Sequence, residues 1–197
     1  MKSTKQIGKK IIACLCAAAV MFTAVPTGAR VEAASKSEMA KKAYAKKLEK
    51  MKPTSGQAIE FGMVDLDKDG VPELLAYDTD GSFIYDGGIY TYTKGKVKNV
   101  GGIFGDYCEI YPSSKVISIC CKVSYGMYSY SYYKYDGKKL KLVLRQNTED
   151  GSEEYYAGSK QISKQEFDKR YKALKLKKPT NIKMHKNTAS NRRKYLK

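Results

Sequence analysis

Between about Gln57 and Gly158 the chain is a succession of short β-branched and tyrosine-rich runs, each closed by a glycine-containing turn. Candidate strands are AIEFGMVD, ELLAYD, GGIYTYT, KVKNVGGIF, CEIYP, KVISICCKV, MYSYSYYKY, KLKLVLRQ and EEYYAG. Tyr90–Val100 and Tyr133–Val143 echo one another: alternating tyrosines, a glycine turn, then a lysine-rich strand. Each reads as a β-hairpin, so antiparallel pairing is expected. Two helical patterns flank this region. In the first, Ser35 and Glu38 fit a capping box, and Ala40, Ala43 or Tyr44, Leu48 and Met51 recur at helical spacing until Pro53 stops the pattern. The second covers about 163–176, with Ser163 and Glu166 at its start and Phe167, Tyr171 and Leu174 on one face. The expected fold is α+β: an antiparallel meander of hairpins between an N-terminal and a C-terminal helix, within one domain spanning 35–178. Residues 179–197 are polar and basic, and a disordered tail is expected there.

The first 34 residues read differently. A basic start, MKSTKQIGKK, precedes the apolar run IIACLCAAAVMFTAV and then small residues at Ala33 and Ala34. That order is expected of a secretory signal peptide, and the run is short for a transmembrane helix. Cys14 follows Lys10 too closely for a lipoprotein signal. The expected location is therefore outside the cytoplasm, with no membrane span once the segment is removed.

Export permits disulfides. Beyond the leader the cysteines are Cys108, Cys120 and Cys121. A hairpin turning at PSSK sets Cys108 across from Cys120 or its neighbour, so one bridge with a thiol left over is one expectation and three reduced thiols the other. The single histidine, His185, lies far along the chain in the basic segment, which argues against a cysteine–histidine nucleophile.

Charge is unevenly distributed. Without residues 1–33 the chain holds 32 Lys/Arg against 19 Asp/Glu, and from Lys169 onward there are twelve basic residues and no acid. Residues 53–93 reverse this, with eight acids and only Lys68. Within that acidic island lies VDLDKDGVPELL, where Asp65, Asp67 and Asp69 alternate, Gly70 permits a sharp turn and Glu73 returns a carboxylate. Calcium takes six to eight oxygens at roughly 2.3–2.6 Å, which requires a loop that turns several carboxylates toward one point. Without a cation such carboxylates repel one another. An EF-hand would place a bidentate Glu at loop position 12, but counting from Asp65 that residue is Ala76, and Pro72 stands where the exiting helix would form.

The stretch FGMVDLDKDGVPELLAYD instead resembles the calcium loops of FG-GAP and VCBS-type repeats, the hairpin loops of integrin-α-like propellers. That resemblance implies calcium ligands at Asp65, Asp67, Asp69 and Glu73, with the Val71 carbonyl, on a strand–loop–strand frame. Glu stands at the last position where the family more often has Asp. The resemblance covers about eighteen residues and occurs once, and a closed propeller needs at least four blades of four strands. A single loop of this kind also resembles those of small exported proteins of Gram-positive-type bacteria.

The tyrosines of YGMYSYSYYKY offer a surface for sugar rings, although cross-strand packing is the more common use of such a stripe. The basic C-terminal segment suits an anionic cell-wall polymer, or serves only to solubilise; nucleic acid is not an expected partner. No Gly-x-Ser-x-Gly, histidine pair or phosphate loop is present, and Ser131 and Lys134 form an isolated Ser-x-x-Lys without companion motifs. The expected function is an exported, calcium-binding, β-rich binding or structural module. A secreted hydrolase with a structural calcium ion is the second reading.

Overall fold

The computed structural model describes residues 27–197 except Gly56. Most of the expected signal peptide, 1–34, lies outside them. Helix α1 spans Thr27–Glu49 and continues through the 34/35 boundary, so Ser35 is inside the helix rather than capping it. Ala40, Tyr44 and Leu48, four residues apart, form its buried stripe. Among the described residues no helix is long and apolar enough to cross a membrane.

Eleven strands follow as two antiparallel sheets. The first comprises β1 (Ala58–Val64), β2 (Glu73–Thr79), β3 (Ile84–Thr93), β4 (Lys96–Gly105) and the short β11 (His185–Lys186), in the order β11-β1-β2-β3-β4. The second comprises β5 (Tyr107–Tyr111), β6 (Val116–Ser124), β7 (Met127–Tyr135), β8 (Leu140–Glu149), β9 (Ser152–Ala157) and β10 (Lys160–Ile162), in the order β10-β9-β8-β7-β6-β5. Neither sheet closes, so the α+β meander expected from the sequence is the observed fold and a propeller is not. The chain crosses between sheets at Gly105–Asp106. Gly105 has φ +151° and lies against the Cys120 carbonyl, where a Cβ would clash, so no other residue fits this crossing without displacement.

Alternation within the strands sorts residues into three cores. Between the sheets, Val64, Leu75, Ile89 and Ile103 meet Ile110, Ile117, Ile119 and Tyr135. On the outer face of the first sheet, Ile59, Phe61, Leu74 and Ala76 pack against α1. On the outer face of the second, Leu144 and Tyr155 receive Phe167 of α2 (Lys164–Ala173). Ser163 caps α2 as expected, accepting the Glu166 N–H at 3.2 Å.

Two sequence expectations need correction. The segment 179–197 is not a disordered tail. Thr180 donates its N–H to Ile110 at the edge of the second sheet (2.8 Å), and β11 pairs with β1 at the edge of the first. Ile182 and Met184 pack into the inter-sheet core, and α3 (Ala189–Tyr195) is capped by Thr188 and followed by Leu196, 3% exposed beneath α1. A few apolar side chains among many lysines suffice to anchor the segment.

The second correction concerns the thiols. Pro112–Ser114 forms a 3-10 turn closed by Lys115 in the left-handed region (φ 54°), and the resulting register opposes Cys108 to Ile119 and Tyr107 to Cys120. Cys108 and Cys120 therefore face opposite sides of the sheet. Cys121 shares the face of Cys108 but on the diagonal, about 7 Å away where a bridge needs about 4 Å. All three thiols are free.

Candidate metal centre

The loop between β1 and β2 is held from both sides. Leu66 is fully buried in the inter-sheet core and Val71 is buried on the α1 side, while Lys68, Asp69 and Gly70 between them are exposed. Lys68 (φ 63°) and Gly70 (φ 86°) supply the left-handed conformations that fold the loop back on itself. Asp65 accepts the Asp69 N–H at 3.2 Å on one oxygen and the Gly70 N–H at 3.0 Å on the other. Tyr44 of α1 donates its hydroxyl to the Pro72 carbonyl at 3.0 Å and fixes the exit.

Glu73 opens β2 opposite Val64, which turns its side chain inward, and it is only 2% exposed. Its carboxylate accepts the Leu66 N–H at 2.9 Å and the Thr91 hydroxyl at 3.3 Å. Asp65, Asp67 and Glu73 each bring a carboxylate oxygen within 4.8 Å of the others. Ligand oxygens on opposite sides of a calcium ion lie up to about 5 Å apart, so this spacing suits a shared hard cation. One oxygen of Asp67, Oδ1, is buried with no hydrogen-bond partner, and Asp67 is a member of this group. A carboxylate oxygen so placed is costly unless something positive faces it.

The electrostatics of the group agree. Burial raises the Glu73 carboxyl to about 7; the Leu66 N–H opposes this, the Asp67 and Asp69 charges add to it, and the Thr91 hydroxyl opposes it in turn. Asp67 is also raised, first by burial and then by Asp69, with Lys115 in opposition. A proton on Glu73 relieves the repulsion that a cation would relieve.

Of the residues chosen from the sequence, Asp65, Asp67 and Glu73 are brought together. Asp69 is outside this group of three and uses Oδ1 to accept the Val71 N–H at 2.8 Å. Val71 takes part through that N–H and through its buried side chain. Sequence reasoning missed Thr91, Tyr44, buried Tyr135, which feels the charges of Glu73, Asp67 and Asp69, and Gly137, where a Cβ would lie 3.8 Å from Asp67. Tyr135 comes from β7 and Gly137 from the β7–β8 turn of the second sheet, so the loop sits where both sheets meet, and no local spacing signals them.

Other chemistry is poorly provided for. His185 stacks on Tyr195 with centroids 3.6 Å apart, and burial pushes the Cys108 thiol up to about 12, which suppresses its nucleophilic form. A cavity of about 480 Å³ between the sheets is bordered by Glu60, Tyr77, Asp106, Cys108, Glu109 and Met184. Asp106 already accepts the Lys122 N–H, and Glu109 accepts the Tyr111 hydroxyl at 2.7 Å. Tyr132 of the tyrosine stripe packs edge-on against Tyr171, 5.3 Å between centroids. Compared with protein-family models, curated proteins and solved structures, the chain matches none.

Proposed function

We propose that the protein is an exported calcium-binding module, in which one ion held by Asp65, Asp67 and Glu73, with Asp69 and the Val71 carbonyl completing the protein ligands, ties the β1–β2 loop to the junction of the two sheets. The observation that carries this reading is the convergence of three carboxylates around the buried Glu73, with an Asp67 oxygen that has no partner. The role is structural: the ion binds the folded chain and replaces repulsion by attraction between β1, β2 and the neighbouring turns. The alternative hydrolase would work in the 480 Å³ cavity, where Glu60 is the one carboxylate without a hydrogen bond among the described residues. A single such group does not make an acid–base pair, and the binding-module reading is preferred.

Calorimetry with calcium, together with melts in chelator and in millimolar calcium, tests this. Binding at a hundredfold excess over the dissociation constant stabilises by about 2.7 kcal/mol, which raises the Tm of a domain this size by roughly 5–10 °C. Asp65→Ala should abolish that increment, and magnesium should substitute poorly because it demands a smaller octahedral shell. Superimposable wild-type melts with no heat of binding would refute the calcium reading.

A further inference from the structure

Helices α1 and α3 lie antiparallel over the outer face of the first sheet. Arg192 approaches Glu49 at 4.0 Å, while Lys41 Nζ donates to the Lys197 carbonyl at 3.1 Å, which fixes the pair at both ends. Asn187 donates to the Leu48 carbonyl at 2.8 Å and locks the approach to α3. Between the helices runs a groove of about 580 Å³. Lys42 and Lys46 line it from α1, Arg193 from α3 and Lys197 from just beyond α3, and its apolar lining is Ala45, Ala189 and the buried Leu196. All four cations are exposed, and none has an ion-pair partner among the described residues. The one acid in the groove is Glu49, which faces Arg192.

On α1 the two cations are four residues apart, about 6 Å along the helical rise; on the other rim Arg193 is in the last turn of α3 and Lys197 lies just beyond its end. Like charges at this spacing repel. The helix dipole favours Lys46 and Arg193, which lie near C-terminal turns, but not Lys42. Two pairs of cations thus face one another across the groove with no ion-pair partner among the described residues. An anionic chain lying between them neutralises both.

We propose that this groove binds a linear phosphodiester polymer. The Arg193 fork suits phosphate oxygens in a bidentate contact, and the lysines supply point charges on either side. The groove favours a strand over a membrane: its apolar residues are small or buried, and none projects beyond the cations to enter a bilayer. Met39, the one large apolar side chain exposed on α1 among the described residues, lies outside the groove lining. The groove shares no residue with the β1–β2 loop and does not depend on calcium being bound there.

Titration of a fluorescent synthetic glycerol-phosphate oligomer with the protein, between about 50 and 200 mM salt, reads the number of phosphate contacts from the slope of log K against log salt. At about 0.7 per contact for a single chain, Lys42→Gln, Lys46→Gln, Arg193→Gln and Lys197→Gln together should flatten the slope by nearly 3 and weaken binding at least about a hundredfold at low salt. Lys42→Gln with Lys46→Gln alone should show about half that flattening, and this pair touches no buried contact. A charge-matched control, Lys138→Gln, Lys139→Gln, Lys160→Gln and Lys177→Gln, alters exposed lysines elsewhere and should keep the wild-type slope. Equal losses in groove and control variants would reduce the effect to net charge and overturn the proposal. So would failure of the wild type to bind the oligomer, or binding to phosphatidylglycerol vesicles without binding to the oligomer.

Discussion

Glu73→Gln removes one ionisation from a side chain that is 2% exposed and changes its shape very little. In the metal-free protein this carboxyl titrates at about 7, against 4.5 in an unfolded chain. Below pH 4.5 it is protonated in both states and imposes no penalty. As pH rises toward 7 the unfolded chain ionises first, so stability falls, and above the folded value the loss is complete. The gap corresponds to roughly 3 kcal/mol. Gln still offers a carbonyl to the Leu66 N–H, which the wild-type carboxylate accepts at 2.9 Å. In chelator, the variant should therefore become more stable than the wild type by up to roughly 3 kcal/mol across that window. In saturating calcium the order should reverse, because the variant lacks a charged ligand. Urea unfolding followed by far-UV circular dichroism, from pH 4.5 to about 8 with and without calcium, gives both curves. A variant-minus-wild-type difference that stays flat across the window in chelator would refute the reasoning, since Glu73 would then not be held neutral by burial.

Other expectations follow from single contacts. Asp78 is 1% exposed and one of its oxygens accepts the N–H and hydroxyl groups of Thr54 and Ser55 at 2.7–3.1 Å, so Asp78→Ala should cost about 2–3 kcal/mol in urea unfolding; no change would mean the clamp is not formed. Leu196→Asp should undock α3 at a cost of about 2–4 kcal/mol and expose residues beyond 187 to limited proteolysis, and an unchanged melt with unchanged digestion would refute the anchoring role. Protein lacking residues 1–34, unfolded without reductant, should give three blockable thiols by mass; a smaller number would contradict the β5–β6 register.

Hairpins and both flanking helices were legible because strand alternation and helical spacing are local signals, and capping located the start of α2, whereas the Ser35 box did not mark the start of α1. The register of β5 and β6 was not. The PSSK turn was visible, but its 3-10 form and the left-handed Lys115 pair Tyr111 with Val116, and a shift of one residue moves a side chain to the other face. In the acidic loop, the spacing singled out Asp65, Asp67, Asp69 and Glu73; the fold gathers Asp65, Asp67 and Glu73, while Asp69 lies outside that group and one of its oxygens closes a turn with Val71. Thr91 and Tyr135 reach the site only through tertiary packing. The C-terminal segment misled because composition registers its lysines, while its fold depends on Ile182, Met184 and Leu196.

The docking of α3 on α1 joins residues far apart in the chain: Asn187 meets Leu48 across 139 residues and Lys197 meets Lys41 across 156. Closing loops of that length is entropically costly, and such contacts form after the local hairpins have nucleated. The cover over Tyr44 and Leu48 is thus completed late, by the final residues of the chain. Weakening this contact should speed unfolding while leaving the folding rate nearly unchanged. A chain that loses its last turn would still acquire both sheets but would leave part of an apolar helix face open, and that species is the one prone to self-association.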